Sequence, residues 1–282
     1  MNLEKIIPKD GPSIEEVEKY IKKYSNELIV IKCGGSVLLD QNLFNQFIED
    51  ISVINKLGLS AIVVHGGGKN IKKKLDQHNI ESKFINGLRV TDEKTIKIVE
   101  EALLELNTEI FNNIKDKEAN AQSVTPKNEN IIKIIPEKKE LGFVGTPKEI
   151  NKEVLLSIVR EKKVPIIVPL GIGDDGKIYN INADVAAAAI AKEINSRRLL
   201  LMTDVEGVLD KDKKLISEIN SETAKDMIND QSISGGMIPK INTCIDAVNN
   251  GVTGVVIVDG RKQNSLLFEI FSDKGSGTLI RK

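Results

Sequence analysis

The sequence predicts an α/β protein, a three-layer αβα sandwich around a mainly parallel open sheet. Two observations carry that reading. Strand-length apolar runs at 28–31, 60–64, 164–170, 198–203 and 255–258 alternate with segments whose apolar residues recur at helical spacing. Alternation of this kind pairs strands in parallel and lays the intervening helices on both faces of the sheet. The second observation is that glycine-rich turns follow strands, which places them along the carboxyl edge of the sheet, where open α/β sheets hold their ligands.

Composition narrows the class. The chain has 282 residues, 40% hydrophobic and 29% charged, as in ordinary soluble globular proteins. Forty basic and 41 acidic side chains leave no net field to draw nucleic acid or a membrane surface. Cys33 and Cys244 have neither a CxxC partner nor nearby histidines, which argues against a disulfide framework or a zinc site. No 18-residue apolar run occurs, and the start MNLEKIIPKDGPS lacks the basic-then-apolar pattern of a signal peptide. A cytoplasmic protein is the expectation.

Taken in order, Ser13 and Glu16 form a capping-box pattern around an apolar stripe of Ile14, Val17, Tyr20, Ile21 and Tyr24. Two readings stand for this helix: one packed on its own domain, or an oligomerisation arm that exposes its two tyrosines. The run 28–31 then delivers Lys32 and breaks into Gly34, Gly35 and Ser36, ahead of a helical stripe from Leu43 to Ile54. Glycines allow close backbone approach to a ligand, and a helix starting there turns a positive end toward an anion. The layout reads as a phosphate site, although GxxxxGK[ST] and GxGxxG are both absent; a purely structural turn is the alternative. It repeats after 60–64, where His65, Gly66, Gly67 and Gly68 precede another helix. Two such cradles at adjacent strand ends would enclose a small charged ligand. His65 reads either as a base or, more simply, as a buried histidine that fixes the loop.

Arg89 precedes a helix that Thr91 or Asp92 can cap; it is either solvated or a bidentate clamp for a carboxylate. The stretch 122–140 yields one strand, 131–135, at an edge or in a hairpin. Asn180, Asn182 and Asp184 alternate ahead of an alanine-rich helix at 185–193, and Asp184 either caps it or fits between two lysines. After the strand 198–203 comes Thr203-Asp204-Val205-Glu206-Gly207-Val208. Ser234-Gly235-Gly236-Met237 makes a third glycine turn before a helix at 241–249. Lys240 lies near the positive end of that helix, which makes sense if an anion sits between them. A helix at 266–271 and a strand at 277–280 close the chain.

Lys32, two glycine cradles, Arg89, Asn180, Asp184 and Lys240 together make a phosphoryl-transfer site without a covalent nucleophile. Such transfer needs in-line positioning and neutralisation of charge on the moving group. A carboxylate acceptor requires no general base, and none is evident, which favours an acyl phosphate product.

The motifs IKCGGS, VVHGGGKN, NGLRVTD, YNINAD, TDVEGVLD and GGMIPK, in this order, resemble those of the amino acid kinase family over essentially the whole chain. Within it they resemble the branch that acts on N-acetylated glutamate. The resemblance implies ATP-dependent phosphorylation of the side-chain carboxylate of N-acetyl-L-glutamate to N-acetyl-L-glutamyl 5-phosphate, in arginine biosynthesis. It implies Mg2+ accompanying ATP, with no metal ligand assigned in the protein. Lys32 and Lys240 would stabilise the transferring phosphoryl group, with Asp184 organising them. Gly67, Gly68, Arg89 and Asn180 would hold the acceptor. Gly34, Gly35, Gly236 and Met237 would face the ATP phosphates, and Thr203, Asp204, Val205, Gly207 and Val208 would line the nucleotide half. The implied division is an arm helix at 1–25 and a kinase domain at 26–282. Within the latter, 26–178 is an acceptor-binding and dimerisation lobe and 179–282 an ATP-binding lobe.

Both ends of the chain resemble arginine-inhibited, hexameric members in which the arm interlaces dimers. Glu269, Gly275 and Gly277 would then bind arginine, with Asn264 standing where many such members carry histidine. Implied partners are ATP, N-acetyl-L-glutamate, arginine, further copies in a dimer or a trimer of dimers, and a nitrogen-signalling protein. Two rivals stand beside this reading. One is a kinase of the same fold for aspartate or glutamate. The other is a non-catalytic sensor of arginine or of a signalling partner, against which the two lysines and Asp184 speak.

Overall fold

The computed structural model describes residues 2–282. Helix α1 (Ile14–Tyr24) starts at Ser13, whose hydroxyl accepts the Glu16 N–H at 3.3 Å and donates to the Glu16 carboxylate at 3.0 Å. Strand β1 (Leu28–Cys33) is followed by a 3-10 turn (Gly35–Leu38) and then by α2 (Gln41–Lys56). Strand β2 (Ser60–His65) runs almost directly into α3 (Gly68–Gln77). A small hairpin, β3 (Phe84–Ile85) and β4 (Leu88–Arg89), precedes the long α4 (Glu93–Asp116), which Asp92 caps by accepting the Thr95 N–H at 2.8 Å.

The middle of the chain supplies β5 (Ala121–Val124), β6 (Ile132–Pro136), β7 (Gly145–Ile150), α5 (Lys152–Arg160) and β8 (Val164–Ile167). Then come β9 (Leu170–Ile172), β10 (Ile178–Asn180), α6 (Ala183–Glu193) and β11 (Arg198–Thr203). The last part holds β12 (Glu218–Asn220), α7 (Ser221–Asn229), α8 (Met237–Asn249), β13 (Val255–Asp259), α9 (Ser265–Phe271) and β14 (Gly277–Arg281).

Eight strands form the main sheet in the order β12-β14-β13-β11-β1-β2-β8-β5. The run from β13 to β5 is parallel; β14 lies antiparallel to β13, and β12 follows β14. Ile29, Val30 and Ile31 of β1 are wholly buried, as a central parallel strand covered on both faces requires. One apolar cluster lies under α5, α6 and α8, a second under α1, α2 and α9, and a third between α3 and α4. A second sheet, β10-β9-β6-β7, stands beside the main one. Among the described residues no helix is long and apolar enough to cross a membrane.

Several expectations change. The glycine turn after β1 does not open a helix: the 3-10 turn intervenes, and Asp40 caps α2 by accepting the N–H groups of Asn42 and Leu43 at 2.9 and 3.1 Å. The positive end of α2 is therefore occupied by a carboxylate of its own. Tyr20 and Tyr24 are not exposed, because α1 packs on α9 and buries both rings, with the Tyr20 hydroxyl donating to Asp273 at 2.8 Å. The strand expected at 131–135 is in a hairpin with β7 but is internal to its sheet, since β9 pairs on its other side. The run 164–170 splits at Val168-Pro169 into β8 and β9, which join different sheets. The Ser234–Gly236 turn follows a helix, α7, rather than a strand.

Candidate active site

The site lies where the parallel strands end. In β1, Lys32 pairs in register with Val64 of β2 and Leu201 of β11, so its side chain rises at the carboxyl edge beside both glycine loops. Asn182 caps α6 by accepting the N–H groups of Asp184 and Val185 at 2.9 and 3.3 Å. With that duty taken, the Asp184 carboxylate is free to turn outward. Its Oδ1 lies 2.9 Å from the Lys32 ammonium and its Oδ2 2.5 Å from that of Lys240. The two lysine side chains are only 12% and 13% exposed. Burial opposes ionisation of Asp184, but the two ammonium groups outweigh it and hold the carboxyl well below the usual carboxylate range. Alanines 186–188 face the core, so α6 can lie close to β1 while carrying Asp184 over it.

A cleft of about 230 Å3 opens in front of this triad. Lys32, Gly34, Gly35, Gly67, Gly68, Arg89, Asn180 and Asp184 all line it. Arg89 is 8% exposed and has no carboxylate partner among the described residues. Its Nη1 donates to the Ser82 hydroxyl at 2.5 Å and its Nη2 to the Gly68 carbonyl at 3.0 Å. Burial pulls its pKa down, yet a guanidinium keeps its charge. A buried cation without a counter-ion is costly, and that cost is offset when an anion enters. Lys32, Lys240 and Arg89 against Asp184, with Asp204 matched by Lys69 at 3.6 Å, leave the site with an excess of positive charge.

The two glycine loops are braced differently. The Gly66 N–H donates to the Cys33 carbonyl at 2.6 Å and so ties one loop to the other. His65 is fully buried; its Nδ1–H donates to the Gly66 carbonyl at 2.9 Å and its Nε2 accepts from the Asn107 amide at 3.1 Å. Burial lowers its pKa to about 4, so it is neutral and serves the loop rather than a substrate. Across the site, Asp204 accepts from the Ser36 N–H at 2.9 Å and the Ser36 hydroxyl at 2.7 Å. Gly35 has a φ of +68°, and a Cβ there would collide with the Asp204 carboxylate. Cys33 and Cys244 are buried, and burial pushes both thiols up to about 12, so neither is a nucleophile.

Other expected residues lie outside the cleft. Thr203 ends β11 and Val205 sits on the loop after it, and Gly236 and Met237 open α8, whose first turn has no side-chain cap. The Val208 N–H donates to the Thr278 hydroxyl at 2.9 Å, and Gly207, packed beside that hydroxyl, has no room for a side chain. Glu269, Gly275 and Gly277 meet at a second cleft of about 250 Å3, closed by Tyr20 and Tyr24 of α1. Asn264 does not reach it; it holds the residue position before α9 in the left-handed region, buried and without a side-chain capping bond, and its amide donates to the Asp10 carbonyl at 3.2 Å.

Sequence reasoning missed Ser82 and Phe84 beside Arg89, and Leu103, Val144 and Pro169 in the cleft wall. Asn86-Gly87 was the available signal for the first pair, because both residues take positive φ (49° and 80°) as a tight hairpin turn requires. The wall residues come from α4, from the residue just ahead of β7 and from the break between β8 and β9, whose approach no local pattern reveals.

Residues 27–259 match the model of the amino acid kinase family. The chain belongs to this family. It is 57% identical over 277 residues to a protein of Pelagibacter ubique (strain HTCC1062) named acetylglutamate kinase, a match that spans 98% of this chain and 96% of the relative. A Thermoanaerobacter pseudethanolicus protein of the same name is 46% identical, over 95% of this chain and 91% of its own length. Among solved structures, the N-acetylglutamate synthase of Neisseria gonorrhoeae complexed with coenzyme A and N-acetyl-glutamate aligns with a TM-score of 0.86 at 21% identity. That match covers 95% of this chain and 62% of the synthase. Giardia lamblia carbamate kinase bound to AMP-PNP aligns at 0.69 and 17% identity, covering 92% of this chain and 99% of that one. At these identities the two structures speak for the family fold alone.

Proposed function

We propose that the protein transfers the γ-phosphoryl group of ATP to the side-chain carboxylate of N-acetyl-L-glutamate, giving N-acetyl-L-glutamyl 5-phosphate and ADP in arginine biosynthesis. The observation that carries it is one carboxylate, Asp184, held between two largely buried lysines at the mouth of a cleft that also contains an unpaired arginine. A carboxylate oxygen of the acceptor forms the new bond to phosphorus as the bond to ADP breaks. The acceptor is already ionised at neutral pH, so no proton has to be removed, and His65 is not needed as a base. Lys32 and Lys240 neutralise charge on the passing phosphoryl group, and Asp184 fixes the gap between them. Arg89 takes the carboxylate that does not react, since one gripped by a guanidinium is a poor nucleophile. Gly67 and Gly68, at the uncapped start of α3, offer backbone N–H groups to the acceptor, and Asn180 borders it.

The loop after β11 and the start of α8 frame the nucleotide half of this reading, and the lobes divide near 178. Asp184 is occupied by both lysines and Asp204 Oδ1 by Ser36, so Mg2+ would be carried by the ATP phosphates, where it screens their charge. Dependence on ATP supports a cytoplasmic setting. Arginine as an inhibitor is supported by the second cleft, where the Glu269 carboxylate, oriented by the Ser276 N–H at 2.7 Å, suits a guanidinium. Assembly into dimers, or hexamers through α1, and docking of a nitrogen-signalling protein belong to the same proposal. Light scattering of the full chain, alone and with arginine, tests the assembly.

The deciding experiment measures ADP release from ATP-Mg2+ with N-acetyl-L-glutamate, glutamate, aspartate or UMP offered separately. Activity with N-acetyl-L-glutamate alone is expected. Turnover of another acceptor would overturn the assignment of Arg89, and none at all would favour a sensor.

A further inference from the structure

We infer that Ser82 is a positioning residue for Arg89, and that through it the protein discriminates for an acceptor bearing a second carboxylate. The inference rests on the proposed role of the cleft. A guanidinium offers five N–H donors in a rigid plane. Here one end of the plane, Nη2, is tied to the Gly68 carbonyl at the start of α3, and the other, Nη1, to the Ser82 hydroxyl on the chain leading into β3. The Phe84 ring covers the guanidinium, with Cζ 4.7 Å from its centroid. Three donors are left over, and among the described residues no carboxylate takes them.

The hairpin explains why Ser82 can do this. Phe84 pairs with Arg89 and Ile85 with Leu88, and the Val90 N–H donates to the Lys83 carbonyl at 2.9 Å. The segment that carries Ser82 into β3 is thereby locked alongside the arm that carries Arg89. Either tie alone leaves the guanidinium free to swing about one contact. Both together fix its plane, which a planar carboxylate needs for two parallel hydrogen bonds. The Ser82 hydroxyl bonds Arg89 and none of Lys32, Asp184 or Lys240, so losing it should weaken acceptor binding without touching the phosphoryl-transfer lysines.

The test compares the wild-type chain with Ser82→Ala, Ser82→Thr and Arg89→Ala. Each is assayed with N-acetyl-L-glutamate as substrate and with 4-acetamidobutanoate, the same skeleton without the α-carboxylate, as competitive inhibitor. Ser82→Ala should raise KM for N-acetyl-L-glutamate about tenfold, the worth of one hydrogen bond to a charged group. Its kcat and its KM for ATP should stay within about twofold, the inhibition constant for 4-acetamidobutanoate should not move, and Ser82→Thr should restore KM. An unchanged KM in Ser82→Ala, or equal weakening of both compounds, overturns the inference. Arg89→Ala separates the two levels: if it raises KM steeply while Ser82→Ala does nothing, only the role of Ser82 falls. If Arg89→Ala leaves KM unchanged, the reading of the cleft falls and takes Ser82 with it.

Discussion

The loops after β1 and β2 begin alike, with a central strand running into consecutive glycines, yet they do different work. After β1 the chain turns through a 3-10 segment and Asp40 closes the end of α2. The strand leading into that loop contributes a side chain, Lys32, and the loop is braced from across the sheet by Asp204. After β2 the chain enters α3 with no side-chain cap, and the loop contributes backbone donors and a positive helix end, braced from beneath by His65 and Asn107. A glycine turn after a strand thus does not say whether the next helix will face a ligand. What decides is whether the helix already holds a carboxylate of its own.

The largest break in this contrast should come from Lys32→Met. Removing one preorganised cation costs about 3 kcal/mol in the barrier, so kcat should fall by about 100-fold or more while ATP affinity changes far less. Lys240→Ala should match it from the opposite side, and steady-state kinetics with a separate nucleotide-binding titration would show unchanged turnover if either role is wrong.

On the β2 side, His65 makes the bracing sensitive to acid. Its folded pKa of about 4 lies below the ordinary value near 6.5. As pH falls through 6.5 the unfolded chain binds a proton that the native chain refuses, and stability drops until about pH 4, by roughly 3 kcal/mol in all. Asp184, depressed in the carboxylate sense, adds its loss only below the ordinary carboxylate value near 4. Urea unfolding between pH 7.5 and 4.5 should show this slope, and His65→Gln should flatten it.

Two alanine substitutions sharpen the contrast further. Gly35→Ala meets both a positive φ and the Asp204 carboxylate and should lower unfolding free energy by about 2 kcal/mol. Gly68→Ala has open space and a helical position, so stability should hold or rise slightly while KM for the acceptor rises. The smallest effect belongs to Asp40→Ala, a lost cap worth about 1 kcal/mol with KM for ATP unaltered. A raised KM there would mean that the end of α2 reaches the phosphates after all.

Much of this was legible in the residues. The central strands are unbroken apolar runs, and the long helices carry clear periodicity, so the layered fold follows from pattern. Lys32, Arg89, Asn180 and Asp184 sit at strand ends or helix starts, and those positions are visible one motif at a time. What the pattern hides is polar and short. Strand β7 reads GTPKEI and is largely exposed, β12 has three residues, and neither shows an apolar alternation. The cap of α6 went to Asn182 because its side chain reaches the Asp184 and Val185 N–H groups, a choice between near neighbours that composition does not settle. Contacts such as Ser36 with Asp204 join residues 168 apart, and only the sheet order brings them together.

The two sulfhydryls make the same site a reporter. Cys33 adjoins Lys32 and Cys244 lies one helical turn beyond Lys240, but both are sealed in the interior with their thiols pushed to about 12. An alkylating reagent therefore finds nothing to modify until the layers separate. Labelling of these cysteines would keep time with global opening, and chemical inactivation of the enzyme would record how often the whole sheet comes apart.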